Sequence, residues 1–215
     1  MKTKITFLLF LNLTLAFGSP TSIPAKIGAS PDEKSALKKN LCCEAATSGS
    51  FSRSSIYQAD ATFTTDTNRL FTLGELRGRP VVLVMFFASC GYACPLIVTD
   101  MQTIRASLPV AIRTRALFVL VSFDTARDQP AALAEYRMQR SLDTQWILLH
   151  GSDDSVRELA ALLGVKYKRA ADGAFSHSNL ITLLNSEGEI VHQRSGLLGG
   201  LIEAAAALTD ADHVP

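Results

Sequence analysis

Val81-Val82-Leu83-Val84-Met85-Phe86-Phe87 follows the breaker Gly78-Arg79-Pro80 and runs, after Ala88-Ser89, into Cys90-Gly91-Tyr92-Ala93-Cys94. Seven apolar residues in succession, β-branched and aromatic, bounded by a turn, read as a strand buried on both faces. Similar runs lie at residues 116–123 and 146–149. The segments between and after them are helical in character: residues 94–108, 130–140 and 153–163. The last has acids in its first turn and Gly164 as a stop. A fourth run, residues 179–184, turns through Asn185-Ser186-Glu187-Gly188 into residues 189–193, and an Ala/Leu-rich helix closes the chain. Ahead of the first buried strand, alternation over residues 56–63, the polar turn Thr65-Asp66-Thr67-Asn68 and the return at 70–72 predict an N-terminal hairpin. The order βαβαβαββα after that hairpin is an α/β sandwich with a mixed central sheet and flanking helices, over residues 56–215.

The N-terminal part reads differently. Lys2 and Lys4 precede an apolar run over residues 5–17, and small and turn-forming residues follow. This is the pattern of a secretory signal peptide over residues 1–25, with cleavage after Gly18 or Ala25. The rival is an uncleaved membrane anchor, the one arrangement in which membrane association is expected. A helix of about 20 Å falls short of a hydrocarbon core of about 30 Å, which favours cleavage. Residues 26–55, rich in Ser, Ala, Pro and Lys, read as a flexible arm carrying Cys42 and Cys43. Export predicts a location outside the cytoplasm, the periplasm in a bacterial cell, where thiols oxidise unless they are kept reduced or metallated.

Composition excludes several function classes. The 215 residues carry 21 basic and 20 acidic side chains, and the net charge of +1 falls to −1 when Lys2 and Lys4 leave with the signal. No basic footprint for nucleic acid exists. An apolar content of 47% is too high for a disordered chain, and four cysteines are too few for a disulfide-stapled miniprotein.

Chemistry is expected where Cys90 follows the first buried strand, because reactive groups of open α/β sheets gather beyond the carboxyl ends of the strands. Cys90 and Cys94 are four apart, so a helix starting near Cys90 stacks both sulfurs on one face, within disulfide range. Amides at a helix N-terminus favour thiolate over thiol. Such a pair forms a reversible disulfide or holds a soft metal ion. The plain alternative, an inert disulfide closing a short loop, stabilises weakly. Copper(I) favours a third ligand, which directs attention to the histidines. His213 lies in the tail, His192 on an outer strand and His150 at the end of the third strand. His177, in Phe175-Ser176-His177-Ser178 just ahead of the fourth strand, is the candidate ligand, although such a residue alone is more often a surface loop histidine.

Three ordered motifs now stand out: Phe86-Phe87-Ala88-Ser89-Cys90-Gly91-Tyr92-Ala93-Cys94-Pro95, Val121-Ser122-Phe123-Asp124-Thr125-Ala126-Arg127-Asp128-Gln129-Pro130, and Ser176-His177-Ser178. Together they resemble the Sco/SenC family over residues 56–194. The resemblance implies a thioredoxin-like fold, an extracytoplasmic location and copper, as Cu(I) or Cu(II), held by Cys90, Cys94 and His177. It also implies delivery of copper to the binuclear copper centre of cytochrome c oxidase, or reduction of that centre's disulfide. Gly91 and Thr125 stand where the family often has proline, and neither change removes a ligand.

Thiolate and imidazole suit copper(I), and a three-coordinate S₂N site leaves an edge open to an incoming cysteine. Zinc is the rival metal. Asp124 and Asp128 are expected to orient His177 or to meet a partner's basic patch, with helix capping ahead of Pro130 as an equal alternative. Cys42 and Cys43 are read as separate thiols that pass copper to the pair or resolve its disulfide, or as accessories with no part in the site. Three functions compete: a copper metallochaperone whose partner is the copper-accepting subunit of cytochrome c oxidase or another periplasmic copper or thiol protein, a thiol-disulfide oxidoreductase using Cys90 and Cys94 without metal, and a thiol peroxidase. His177 separates the first from the others.

Overall fold

The computed structural model describes residues 50–171, 175–197 and 199–212. Cys42, Cys43, the signal segment and His213 lie outside the described residues. Among the described residues nine strands form two sheets: β1 (Thr62–Thr65), β2 (Leu70–Thr72), β3 (Val81–Phe86), β4 (Leu117–Ser122), β5 (Trp146–Gly151), β6 (Tyr167–Arg169), β7 (Phe175–His177), β8 (Leu180–Leu184) and β9 (Ile190–Ser195). The helices are α1 (Ala93–Ser107), the short α2 (Val110–Arg113), α3 (Pro130–Gln139), α4 (Asp153–Leu163) and α5 (Leu201–Ala211).

The main sheet has seven strands in the order β2-β1-β5-β4-β3-β8-β9. β3, β4 and β5 are parallel neighbours, whereas β1 runs antiparallel to β5 and β8 antiparallel to β3. Every residue of β3 and of β4 is buried. That accounts for their apolar runs, interrupted only by Ser122 at the end of β4, because a central strand covered on both faces has no solvent side to give to polar residues. α1 packs on α5, α5 on β8 and β9, and α3 and α4 on β5. The expected α/β sandwich with a mixed sheet is the fold observed, a thioredoxin-like one. No helix among the described residues is long and apolar enough to cross a membrane.

Local signals account for the boundaries. The Ser152 side chain caps α4 by accepting from Ser155 N–H, Asp153 and Asp154 occupy the first turn, and Gly164 ends the helix in the left-handed region at φ 72°. Two expectations are corrected. The apolar alternation from Ile56 does not begin a strand: Ile56–Gln58 is a 3-10 turn, and only Thr62–Thr65 joins the sheet. Its residues are held by the far hairpin instead, with Ile56 N–H donating to the Gly188 carbonyl at 2.9 Å. The second correction concerns His177, which ends β7 of a small β6–β7 hairpin rather than sitting in a loop.

Candidate metal centre

β3 leads to the first candidate ligand. Beyond Phe86 the chain turns, Cys90 N–H donating to the Phe87 carbonyl at 3.2 Å, and α1 begins at Ala93. Cys90 therefore precedes the helix rather than lying on its face as expected. Its Sγ accepts from Cys94 N–H at 3.3 Å and so occupies one of the free donors of the first turn. Cys94 lies inside α1 and is buried, Cys90 is half-buried, and both thiols are free.

The two sulfurs differ electrostatically. Burial alone pushes the Cys90 thiol up, but hydrogen bonds from the Cys94, Tyr92 and Ala93 backbones and from the Cys94 side chain outweigh it and hold the thiol below its ordinary range. Cys94 is driven the other way, by burial first and then by the nearby Cys90 and Asp128, against a hydrogen bond donated by the Phe87 backbone. One sulfur is thus half-buried and more readily ionised than an ordinary thiol, and its neighbour is a buried thiol that holds its proton more tightly.

His177 arrives on the β6–β7 hairpin. In a strand, alternate residues share a face, so Phe175 and His177 face one way and Ser176 the other. Phe175 packs at 5.3 Å from the Phe87 ring and 5.0 Å from the Phe123 ring, and Tyr167 stacks on Phe123 at 5.2 Å. Phe87 and Phe123 stand just past the ends of β3 and β4, so these contacts fasten the hairpin over the strand ends. The imidazole lies edge-on to Phe87 at 5.8 Å and 5.0 Å from Phe123. Its Nδ1 contacts the Ser178 carbonyl at 3.2 Å. A carbonyl only accepts, so Nδ1 carries the proton in this contact and Nε2 keeps its lone pair for a metal.

The ligand atoms of Cys90, Cys94 and His177 all lie within 4.8 Å of one another. Two sulfurs and one nitrogen at this spacing are a donor set for a soft or borderline metal ion.

The other candidates fall elsewhere. Asp124 and Asp128 are 1% and 2% exposed, too deep to meet a partner, and neither bonds His177. Asp124 pairs with Arg127 through Oδ2, and its buried Oδ1 has no partner. Asp128 Oδ2 accepts from Ala88 N–H at 2.7 Å and from the Ser122 hydroxyl at 2.6 Å, and Gln129, not Asp128, occupies the N-cap of α3. Burial raises the Asp128 carboxyl above the usual range, against its two hydrogen bonds. His150 lies on β5, one residue before its end and opposite Thr64, and His192 lies on β9 opposite Leu183; neither joins the cluster. Sequence reasoning missed the aromatic wall of Phe87, Phe123, Tyr167 and Phe175. Its signal was available in aromatic residues just past two buried runs and two apart from the candidate histidine. Tyr136 on α3 was also missed: it packs 5.1 Å from Phe86, its buried hydroxyl has no partner, and burial pushes it up to about 12.

Comparison with known proteins agrees with this construction. A putative copper-binding protein of Stutzerimonas stutzeri is 28% identical over 124 residues, 56% of this chain and 60% of that protein, so the chain spans about three-fifths of its relative's length. The copper-bound structure of Bradyrhizobium japonicum ScoI superposes with a TM-score of 0.59 at 22% identity, covering 70% of this chain and 96% of that one. BsSco, described as a Sco-family cytochrome c oxidase assembly protein with a disulfide switch, gives a TM-score of 0.61 at 19% identity over 72% of this chain and 92% of its own. At these identities the superpositions establish a shared fold. The SCO1/SenC family model matches residues 52–208, well over half of the sequence, and the chain belongs to the SCO1/SenC family.

Proposed function

We propose that this protein is an exported copper carrier that holds one copper(I) ion between the Cys90 and Cys94 thiolates and the His177 imidazole. The ion is its cargo, passed to a cysteine-rich acceptor, for which the binuclear copper centre of cytochrome c oxidase is the candidate. The observation that carries the reading is the convergence of two sulfurs and one imidazole within 4.8 Å, drawn from segments far apart in the chain. A relative described as copper-binding, a copper-bound structure of the same fold and the oxidase-assembly description of BsSco support the metal and the acceptor. The signal-peptide pattern of residues 1–25 supports export to the periplasm.

The chemistry follows from the asymmetry of the site. Copper(I) binding displaces the proton that burial holds on Cys94, and the ion is then gripped from the protein side by Cys94 and His177. Cys90 is the less buried of the two sulfurs, so an acceptor thiolate approaches there and replaces it first, ligand for ligand, without free ion. The test is a copper(I) titration of the reduced protein against a chromophoric chelator. One ion per chain is expected, with affinity falling at least tenfold in Cys90→Ser, Cys94→Ser and His177→Ala. Unchanged affinity in His177→Ala sinks the three-ligand site.

The same sulfurs favour a second reading, thiol-disulfide exchange. The Cys90 thiolate attacks a substrate disulfide and releases one thiol. Cys94 then loses its proton, attacks Cys90 Sγ and releases the second, so two electrons pass from the pair to the substrate. This route does not need His177. A His177→Ala protein that reduces disulfides at the wild-type rate but binds copper(I) poorly separates the two activities.

A further inference from the structure

We propose that Asp128 is a positioning residue for the cysteine pair, a clamp that closes the divergence of β3 and β4 directly below Cys90. The parallel ladder between these strands ends at the pair Phe86 and Ser122, with Phe123 N–H donating to the Phe86 carbonyl at 3.0 Å. Beyond it the chains part, β3 toward Cys90 and β4 toward residues 124–128. The Ala88 amide, two residues before Cys90, has left the ladder and needs another acceptor. Asp128 Oδ2 supplies it at 2.7 Å and takes the Ser122 hydroxyl at 2.6 Å on the same oxygen. Ser122 in turn accepts from Asp124 N–H at 3.0 Å, and Asp128 N–H closes a helical turn onto the Asp124 carbonyl at 3.0 Å.

One buried carboxylate oxygen therefore ties the last residue of β4, the turn that follows it and the segment leading to Cys90 into a single unit. Leaving a buried amide or hydroxyl without its acceptor is costly, and at 2% exposure water does not replace this one. The place the clamp holds is the approach to Cys90, the site's most solvent-accessible sulfur. Without it the approach has more conformations open to it, and metal binding has to pick one. The inference rests on the reading of Cys90 and Cys94 as a working pair, and the experiment separates the two.

Copper(I) affinity of the full chain is measured against bathocuproine disulfonate, with melting temperature and Ala88 amide exchange by NMR in parallel. Asp128→Ala is expected to bind copper(I) about tenfold more weakly and to lose Ala88 protection. Asp128→Asn, whose amide oxygen accepts the same two hydrogen bonds, is expected within about threefold of wild type with protection retained. Ser122→Ala, a mild change in case Asp128→Ala does not fold, is expected to weaken binding about threefold. A folded Asp128→Ala with a lower melting point but wild-type affinity makes Asp128 merely structural and overturns the proposal. So does an Asp128→Asn as weak as Asp128→Ala, which assigns the effect to charge, or a Ser122→Ala of unchanged affinity. If the wild type binds no copper(I), the copper reading fails, and the clamp is judged by Ala88: lost protection in Asp128→Ala with retention in Asp128→Asn upholds it, and unchanged protection overturns it.

Discussion

Asp100→Ala tests how the helix that carries Cys94 is held to the rest of the fold. Asp100 lies six residues along α1 from Cys94, about 9 Å on a helix rising 1.5 Å per residue. Its Oδ2 meets Arg194 Nη1 of β9 at 2.8 Å, with the side chains 7% and 6% exposed. Arg194 also donates through Nε to the Gly199 carbonyl at 2.8 Å and through Nη1 to the Gly196 carbonyl at 3.0 Å, while its buried Nη2 has no partner. Removing the carboxylate strands a buried cation on two neutral carbonyls. Breaking one side of such a pair costs about 3–5 kcal/mol. For a chain of this size each kcal/mol is roughly 2–4 °C, so the melting temperature should fall by about 6–20 °C. The assay is thermal and urea unfolding of wild type, Asp100→Ala and the paired variant Asp100→Leu/Arg194→Met. The pair removes both charges and should recover most of the loss, because the penalty lies in the uncompensated charge. A single variant costing less than about 1 kcal/mol, or a paired variant no better than the single one, refutes the argument.

Three further outcomes are expected. At pH 7 iodoacetamide should alkylate Cys90 well before Cys94, because hydrogen bonds lower the Cys90 thiol while burial raises Cys94 and hides it; equal labelling by mass spectrometry would contradict the asymmetry. Gly151→Ala should lose about 1–3 kcal/mol in urea unfolding, since an added Cβ would stand 2.8 Å from the Phe63 ring and 3.3 Å from Val156, and unchanged stability would show that the core yields there. Glu189→Gln should lose less than about 1 kcal/mol at pH 7, because this partly exposed carboxylate is stabilised by the Ser52, Ser54 and Asn185 side chains, which lower it from 4.5 to about 2. A depressed carboxyl contributes above its unfolded value and loses that contribution as pH falls through the folded one, so the two proteins should converge between about pH 4.5 and 2; a difference that persists near pH 2 would place the effect elsewhere.

What was legible in the sequence follows from how local each determinant is. β3 and β4 announce themselves because burial on both faces leaves almost no polar position in them, Ser122 at the end of β4 being the exception. α4 is delimited by its cap, its acidic first turn and Gly164, all within a dozen residues. The cysteine pair reads equally well, since four residues of spacing next to a buried strand is a short-range pattern. Ile56 misled because apolar alternation reports burial without naming the partner, and here the partner is the Gly188 turn, where Gly188 itself has φ 82° and lies against the Tyr57 ring. β6 and β7 are three residues each, too short for periodicity to register, and Lys168 and Arg169 give β6 an exposed character. Nothing in Asp124-Thr125-Ala126-Arg127-Asp128 says which carboxylate turns inward to Ala88. That choice is made by an amide forty residues away losing its ladder partner.

The same division between local and distant determinants organises the site. Cys90 and Cys94 share one short turn, and any chain that forms the strand-to-helix junction brings them together. His177 has no such guarantee: it comes from a hairpin outside the main sheet's ladder, and its place depends on Phe175 and Tyr167 packing on Phe87 and Phe123. Aromatic contacts of this kind contribute about 0.5–1.5 kcal/mol each beyond the area they bury, enough to hold the hairpin down together but little enough singly for it to shift. The candidate third ligand is therefore the most adjustable of the three. The copper carrier proposed above would have to bind tightly enough to exclude water and other thiols and still release to its acceptor. A pair of sulfurs fixed by close spacing in the chain, completed by an imidazole on a short hairpin held down largely by aromatic packing, suits both demands.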